Sequence, residues 1–273
     1  MNLWRSTIAL TLALLLLPLC SPYGAEATPA ARDDHWRPEP GLSWQWQLAD
    51  ADVDLDPPLD VDVYDLDWED TPAETVEALT ERGVRVICYV NVGAREEWRS
   101  DAAAYPRTLI GKSWPEWEGE RFVDIRRLDV LGPILEARFD TCKTKGFHAI
   151  EPDLIDTYDA DTGFALTEDD QLRFNRWLAD QAHERGLAIG QKNVPQLTAE
   201  LLPDFDFALT EDCLDDGWCD DVSLYIAAGK AVFAAEYTDR GMTLPRMCAA
   251  FAALGFSGIL KHRDLDAWRR ACP

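Results

Sequence analysis

The 273-residue sequence contains no GxGxxG turn and no GxxxxGK[ST] loop. Folds that seat dinucleotides or nucleoside triphosphates on such turns are therefore not indicated. It has no CxxC pair and no Cys/His cluster, so no zinc site is expected. Basic residues are the minority, 26 against 50 acidic, for a formal net charge of -24. A surface of that sign repels nucleic acid and anionic membranes. It permits a cationic ligand, or simply keeps an exported protein soluble. There is no internal repeat, and low complexity is confined to the N-terminus.

That terminus, MNLWRSTIALTLALLLLPLC, carries Arg5 and an apolar stretch of about fifteen residues, followed by the small-residue site Ala25-Glu26-Ala27. It is too short and wrongly flanked for a membrane span and reads as a signal peptide over residues 1–27. Cys20 invites a lipid anchor, yet Leu19 stands where a small residue normally precedes a lipidated cysteine. No membrane attachment after cleavage is expected, and the protein is placed outside the cytoplasm. Residues 28–40, polar and Pro-rich, read as a flexible lead-in to one domain over 41–273.

Hydrophobic residues make up 47% of the chain and include 11 Trp, ample for a sizeable core. Six cysteines remain after the signal: Cys88, Cys142, Cys213, Cys219, Cys248 and Cys272. An even number in an oxidising compartment implies disulfides, although six cysteines allow 15 pairings and sequence does not choose among them. The Cys213 to Cys219 loop is the easiest to close. Cys88, inside an apolar strand, also suits a buried thiol.

From residue 41 onward, strand-like runs alternate with amphipathic helical segments, the pattern of a parallel sheet. The runs are SWQWQL (43–48), VDVYDLD (61–67), VRVICYVNV (84–92), HAIEPDLI (148–155), LAIGQKN (187–193), DFALTED (206–212), AVFAAEY (231–237) and GILKHR (258–263). One of the helical stretches between them, TPAETVEALTERG, has Thr71 as its expected N-cap, Pro72 at the first turn and Gly83 as terminator. Eight strands with intervening helices predict an α/β fold, a (β/α)8 TIM barrel, over a doubly wound sheet. The tract from Arg95 to Arg127, with its extra strand-like RFVDI, is an expected excursion over the mouth.

In such a barrel the working groups sit at the C-terminal ends of the strands. Those ends are polar throughout: Trp46-Gln47, Asp65 and Asp67, Tyr89 and Asn91, Glu151 and Asp153, Gln191-Lys192-Asn193, Glu211-Asp212, Glu236-Tyr237, and Lys261-His262. Alternation along the fourth strand puts Ala149, Glu151 and Asp153 on one face, inward, with His148 and Ile150 on the other. Two carboxylates aimed into a barrel need donors or a cation, and Lys192 on the next strand is the nearest candidate. Glu151 and Lys192 equally suit a purely structural ion pair. Asp156 and Asp159 fall in the following loop and read as rim groups.

The fourth and sixth strands are two positions apart, so their backbones lie roughly 10 Å from one another. An Asp and a Glu reaching inward would bring carboxyls to about 5–6 Å, the spacing of a retaining glycosidase, with a wider inverting gap still open. Flat aromatic rings suit the C–H faces of sugars. Trp44, Trp46, Trp68, Tyr89, Trp98, Trp114, Trp117, Tyr158, Trp218 and Tyr237 all lie near strand ends or in mouth loops, although Trp and Tyr are also ordinary core residues.

WQWQL, VYDLD, VICYVNVG, HAIEPDLID, GQKN and ALTEDC, in that order, resemble glycoside hydrolase family 114, the endo-α-1,4-polygalactosaminidases, across essentially the whole mature chain. The resemblance implies a (β/α)8 fold that hydrolyses α-1,4-linked galactosamine polymers with an Asp on the fourth strand and a Glu on the sixth. Those positions are Asp153, the expected nucleophile, and Glu211, the expected general acid/base. Trp46, Asp67, Tyr89, Glu151, Lys192, Asn193, Glu236 and Tyr237 are expected to shape the sugar site, Asp67 and Glu236 by pairing with amino groups. The mechanism needs no metal or organic cofactor, the partner is a cationic amino-sugar polysaccharide, and a monomer is expected.

Strand parity disagrees at one position. Turning Ala208, Thr210 and Asp212 inward places Phe207, Leu209 and Glu211 outward, so only the resemblance selects Glu211 over Asp212. Two rival readings remain: a class I aldolase or lyase forming a Schiff base on Lys192, and a carbohydrate-binding barrel without catalysis.

Overall fold

A computed structural model describes Met1 and residues 35–49, 53, 55, 59–115 and 117–272. Apart from Met1, the expected signal peptide and residues 28–34 of the lead-in lie outside the described residues.

Eight strands pair side by side in chain order, every pair parallel: β1 (Trp44–Gln47), β2 (Val63–Asp67), β3 (Arg85–Asn91), β7 (Ala149–Asp153), β8 (Ala188–Lys192), β9 (Phe207–Glu211), β10 (Val232–Tyr237) and β11 (Ser257–Lys261). The expected barrel is present, with one addition. A ninth strand, β12 (Arg269–Ala271), runs antiparallel along β11 at the seam. There β1 and the C-terminal segment are joined by the Trp44 indole donating to the Ser257 carbonyl at 2.8 Å, the Gln45 amide to Ala267 at 2.8 Å, and the Leu48 N–H to Leu265 at 2.9 Å. These bonds protect edges that a sheet would otherwise leave unpaired.

Between β3 and β7 the chain makes the expected excursion. It is a three-stranded antiparallel sheet of β4 (Ala94–Glu96), β5 (Ile110–Ser113) and β6 (Glu120–Val123) in the order β4-β6-β5. Helices α1 (Ala73–Glu81), α2 (Leu128–Lys145), α3 (Glu168–Glu184), α4 (Thr198–Leu201), α5 (Cys213–Asp216), α6 (Cys219–Ala227) and α7 (Leu244–Leu254) fill the remaining connections. The cap of α1 is Pro72 rather than Thr71, whose side chain is buried instead.

The barrel interior and the helix-facing layer are separate apolar cores. Inside, Trp44, Trp46, Phe207, Leu209, Phe233 and Ile259 meet the small Ala149, Ala188 and Ala235. Outside, Ile150, Ile189, Ala208 and Ala234 pack on the helices with Leu135, Phe139 and Leu178. Each fully buried large side chain contributes on the order of 1.5–3 kcal/mol. This arrangement overturns the parity expected for β9: Phe207 and Leu209 point inward, and Glu211 with them. The interior must be filled, and the small residues of neighbouring strands, Ala188 and Gly190 above all, leave the space that these large ones occupy.

Outward-facing Cys88 on β3 meets Cys142 on α2, so it is no free thiol; Cys213 pairs with Cys219 and Cys248 with Cys272. The described end of the lead-in is packed rather than loose. Trp36 lies against Phe207, the Pro38 carbonyl accepts from the Ala231 N–H at 2.9 Å, and buried His35 bonds Asp206 at 3.0 Å.

Candidate active site

Three consecutive strands of the sheet end in the residues that define the site: β7 at Asp153, β8 at Lys192 and β9 at Glu211. Each is followed by a non-glycine residue in the left-handed region, Leu154 (φ 64°), Asn193 (φ 48°) and Asp212 (φ 50°). That conformation costs on the order of 1–3 kcal/mol apiece and takes the chain abruptly off the strand. The last side chain of each strand is left at the barrel mouth. Gly93, just beyond β3, admits the first of these turns, since a Cβ there would lie 2.3 Å from the Leu154 carbonyl oxygen.

Lys192 is the hub. Its Nζ lies 3.0 Å from Oε1 of Glu151, 3.0 Å from Oδ1 of Asp153 and 3.0 Å from Oε2 of Glu211, and it sits 4.9 Å from the centre of the Trp46 ring. Burial alone would drive the proton off this amine, but three carboxylates outweigh it and hold its pKa well above the usual lysine value. Asp153 also accepts from the Tyr89 hydroxyl at 3.0 Å. Glu211 accepts from the Tyr237 hydroxyl and from the Asn193 amide at 3.3 Å, and its own N–H donates to Asn193 at 2.9 Å. Burial raises the Glu211 pKa, while Lys192, Tyr237 and Asn193 together bring it below the ordinary glutamate value. Asp153 and Glu211 keep 21% and 26% of their side-chain surface open, against 3% for Lys192, so the two carboxylates face an incoming ligand and the amine does not.

Deeper in the barrel, Glu151 accepts from the Trp46 indole at 3.1 Å. Its neighbour Asp65 is wholly buried and receives no hydrogen bond from a described residue. Burial, then the Glu151 charge, raises the Asp65 pKa well above the carboxylate range; burial likewise pushes Glu151 to about 7 against the pull of Lys192. The two carboxyls titrate as one coupled pair, and burial favours the protonated form of both. The mouth carries two more acids. Burial pushes Glu120, at the start of β6, to about 8, although Asn91 donates to it at 2.8 Å. Burial and the Asp153 charge push Asp156, half-buried in the loop after β7, to about 6.

Trp46, Tyr89, Glu151, Lys192, Asn193 and Tyr237 therefore converge with Asp153 and Glu211. Two expected site residues do not. Asp67 is gripped by the Arg99 guanidinium at 2.5 and 2.8 Å and by the N–H groups of Glu69 and Asp70, so its charge is already matched. Glu236 lies on the outer face of β10 and accepts from the Leu214 N–H at 2.8 Å, because the inward positions are those of Phe233, Ala235 and Tyr237. Several of the aromatics are packing residues: Trp44 fills the barrel, and Trp68 lies under Arg99 and Arg138. Asp65 and Glu120 were not among the expected site residues. Inward alternation of VDVYDLD signals the first, whereas the second enters from an excursion that no barrel pattern aligns with the mouth.

Among the described residues, three groups have the residue types of metal ligands. Cys213, Cys219 and Glu236 are not available as a set, since the sulfurs are bonded to each other. His35 and His183, at the opposite end of β9 from Glu211, stack 4.2 Å apart and address separate oxygens of Asp206 rather than a common point. His262, Asp264 and Asp266 follow β11, with His262 turned to Asp266 and stacked on Trp268.

A carboxylate pair and a lysine at the mouth of a parallel barrel suit a glycoside hydrolase, and the model of glycoside-hydrolase family GH114 matches residues 25–273. The chain belongs to family GH114. This GH114 hydrolase superposes on the crystal structure of Aspergillus fumigatus Ega3 in complex with galactosamine with a TM-score of 0.82 and 29% identity, over 87% of this chain and 97% of that one. The glycoside hydrolase domain of PelA from Pseudomonas aeruginosa shares its fold, with a TM-score of 0.66 and 15% identity over 85% of this chain and 99% of that one. Comparison with curated proteins gave no match.

Proposed function

We propose that this GH114 hydrolase acts outside the cytoplasm on α-1,4-linked galactosamine-containing polysaccharide, cutting within the chain and retaining the anomeric configuration. Asp153 attacks the anomeric carbon while Glu211 gives its proton to the departing oxygen. Glu211 then takes a proton from the water that breaks the glycosyl–Asp153 bond. The observation that carries this reading is the shared Lys192. An oxygen of Asp153 and an oxygen of Glu211 each lie 3.0 Å from one nitrogen, so they are at most twice that, 6.0 Å, apart. That bound on the two facing oxygens accommodates the roughly 5–5.5 Å carboxyl spacing of retaining pairs.

The substrate class rests on charge and on likeness. Ega3 was crystallised with galactosamine. Here burial raises the Glu120 and Asp156 carboxyls toward their neutral forms, and an arriving ammonium group would favour the charged ones. The net charge of -24 favours encounter with a polycation. Three disulfides suit an oxidising compartment. Lys192, held protonated by its three partners, is a poor Schiff-base nucleophile, and the aldolase reading lapses with it.

The deciding experiment is NMR of early products from deacetylated α-1,4-galactosamine polymer. Internal cutting with α-anomers formed first is expected. A polymer left uncut, or β-anomers first, overturns substrate or stereochemistry respectively.

A further inference from the structure

Of the ten described tryptophans three are buried and five half-buried, while Trp98 and Trp117 keep 54% and 49% of their surface exposed. They share one place, the tip of the small antiparallel sheet. The Glu97 N–H donates to the Gly119 carbonyl at 3.1 Å, and the Trp117 carbonyl accepts from the Glu120 N–H at 3.3 Å. Trp98 and the Trp117 turn are thereby held together. Gly119, at φ 91°, leaves room for this: a Cβ on it would stand 3.0 Å from the Trp98 ring and 3.0 Å from the Glu97 side chain. Glu97 and Glu118 are exposed beside the two rings and form no ion pair among the described residues.

This tip adjoins the cleavage site. Glu120, which closes the turn, accepts from Asn91, and Asn91 is the strand partner of Asp153. The Trp117 turn leads directly into Glu120, whose strand partner Glu96 lies two residues before Trp98.

We infer that Trp98 and Trp117, with Glu97 and Glu118, form a remote binding platform for the same polymer, gripping sugar units beyond those at Asp153 and Glu211. The inference rests on the proposed substrate class and adds a dependence on chain length. The chemistry matches on two counts. An indole face attracts an ammonium group through its π-quadrupole, and the adjacent carboxylates add charge. A neutral or acidic chain would gain little from this surface.

The test compares wild type with Trp98→Ala/Trp117→Ala on deacetylated α-1,4-galactosamine polymer and on the shortest oligomer that is cleaved. The double variant should raise KM for the polymer about tenfold, the loss expected for two exposed cation–π contacts, with kcat unchanged and little effect on the shortest oligomer. Trp98→Tyr/Trp117→Tyr should restore most of the affinity. An unchanged polymer KM overturns the platform, as does a parallel loss on both substrates, which would mean a distorted site. A wild type that leaves the polymer uncut sinks the proposed function instead. Affinity electrophoresis in the same polymer then decides the platform by itself: it stands if wild type is retarded more than the double variant and falls if they migrate alike.

Discussion

A Cβ placed on Gly190 would lie 2.3 Å from Cε2 of Phe207. The phenyl ring occupies the room that glycine leaves on β8, and by doing so holds β9 with its odd-numbered side chains inward. Glu211 thus faces the barrel mouth because of an apolar contact near the other end of its strand. Gly190→Ala should destabilise the protein by about 1–3 kcal/mol through overpacking, lowering Tm by several degrees, and should reduce kcat as β9 shifts. Adding Phe207→Leu should recover much of both. Thermal denaturation and turnover on the polymer check this, and a Gly190→Ala protein as stable as wild type would contradict it.

If Asp153 and Glu211 carry the chemistry, Asp153→Asn and Glu211→Gln should each lower kcat by a factor on the order of 10²–10⁴ without loss of fold. Circular dichroism guards the second condition. Wild-type turnover in either variant removes that residue from the mechanism, and in both would favour a barrel that binds sugar without cleaving it.

The acid step has a pH signature. Glu211 must be protonated to donate, and its partners hold its pKa below the ordinary 4.5, so kcat/KM should decline as pH rises from the acid side. Tyr237 donates to the charged carboxylate. In Tyr237→Phe that support is gone, the pKa rises, and the alkaline limb of the profile should move to higher pH. A limb that stays in place would assign the titration to another group.

Glu236 offers a pH effect on stability away from the site. Burial pushes its pKa up to about 7 from an ordinary 4.5. Between those values the folded state binds more protons than the unfolded state, so its contribution favours folding below pH 4.5 and is lost as pH rises toward 7. Glu236→Gln keeps an oxygen for the Leu214 N–H and has no charge to bury. It should be more stable than wild type at pH 8 by on the order of 1–3 kcal/mol and similar at pH 4, with activity retained. Equal Tm values at pH 8 would refute the burial argument.

Strand and helix periodicity, together with Gly terminators, determined the barrel, because both elements bury one face and repeat in βα units. Alternation likewise put Glu151 and Asp153 inward from HAIEPDLID, since a run with Ala149 inside and Ile150 outside is self-consistent within one strand. The cysteine count and the charge were legible as composition. Which cysteines pair was not, because proximity in a barrel is independent of sequence separation. The inward face of β9 is hidden in the sequence for the same reason: small residues alone do not say which face is crowded, and Phe207 points inward because Gly190 on a neighbouring strand makes room. Asp67 and Glu236 have the strand-end positions of site acids in the sequence, but in the fold Arg99 and the Leu214 amide occupy them. Residue types and their order are local properties that the sequence by itself carries. Only the tertiary structure decided which acids are spent on structural partners and which, like Asp153 and Glu211, remain open to a ligand around one buried lysine.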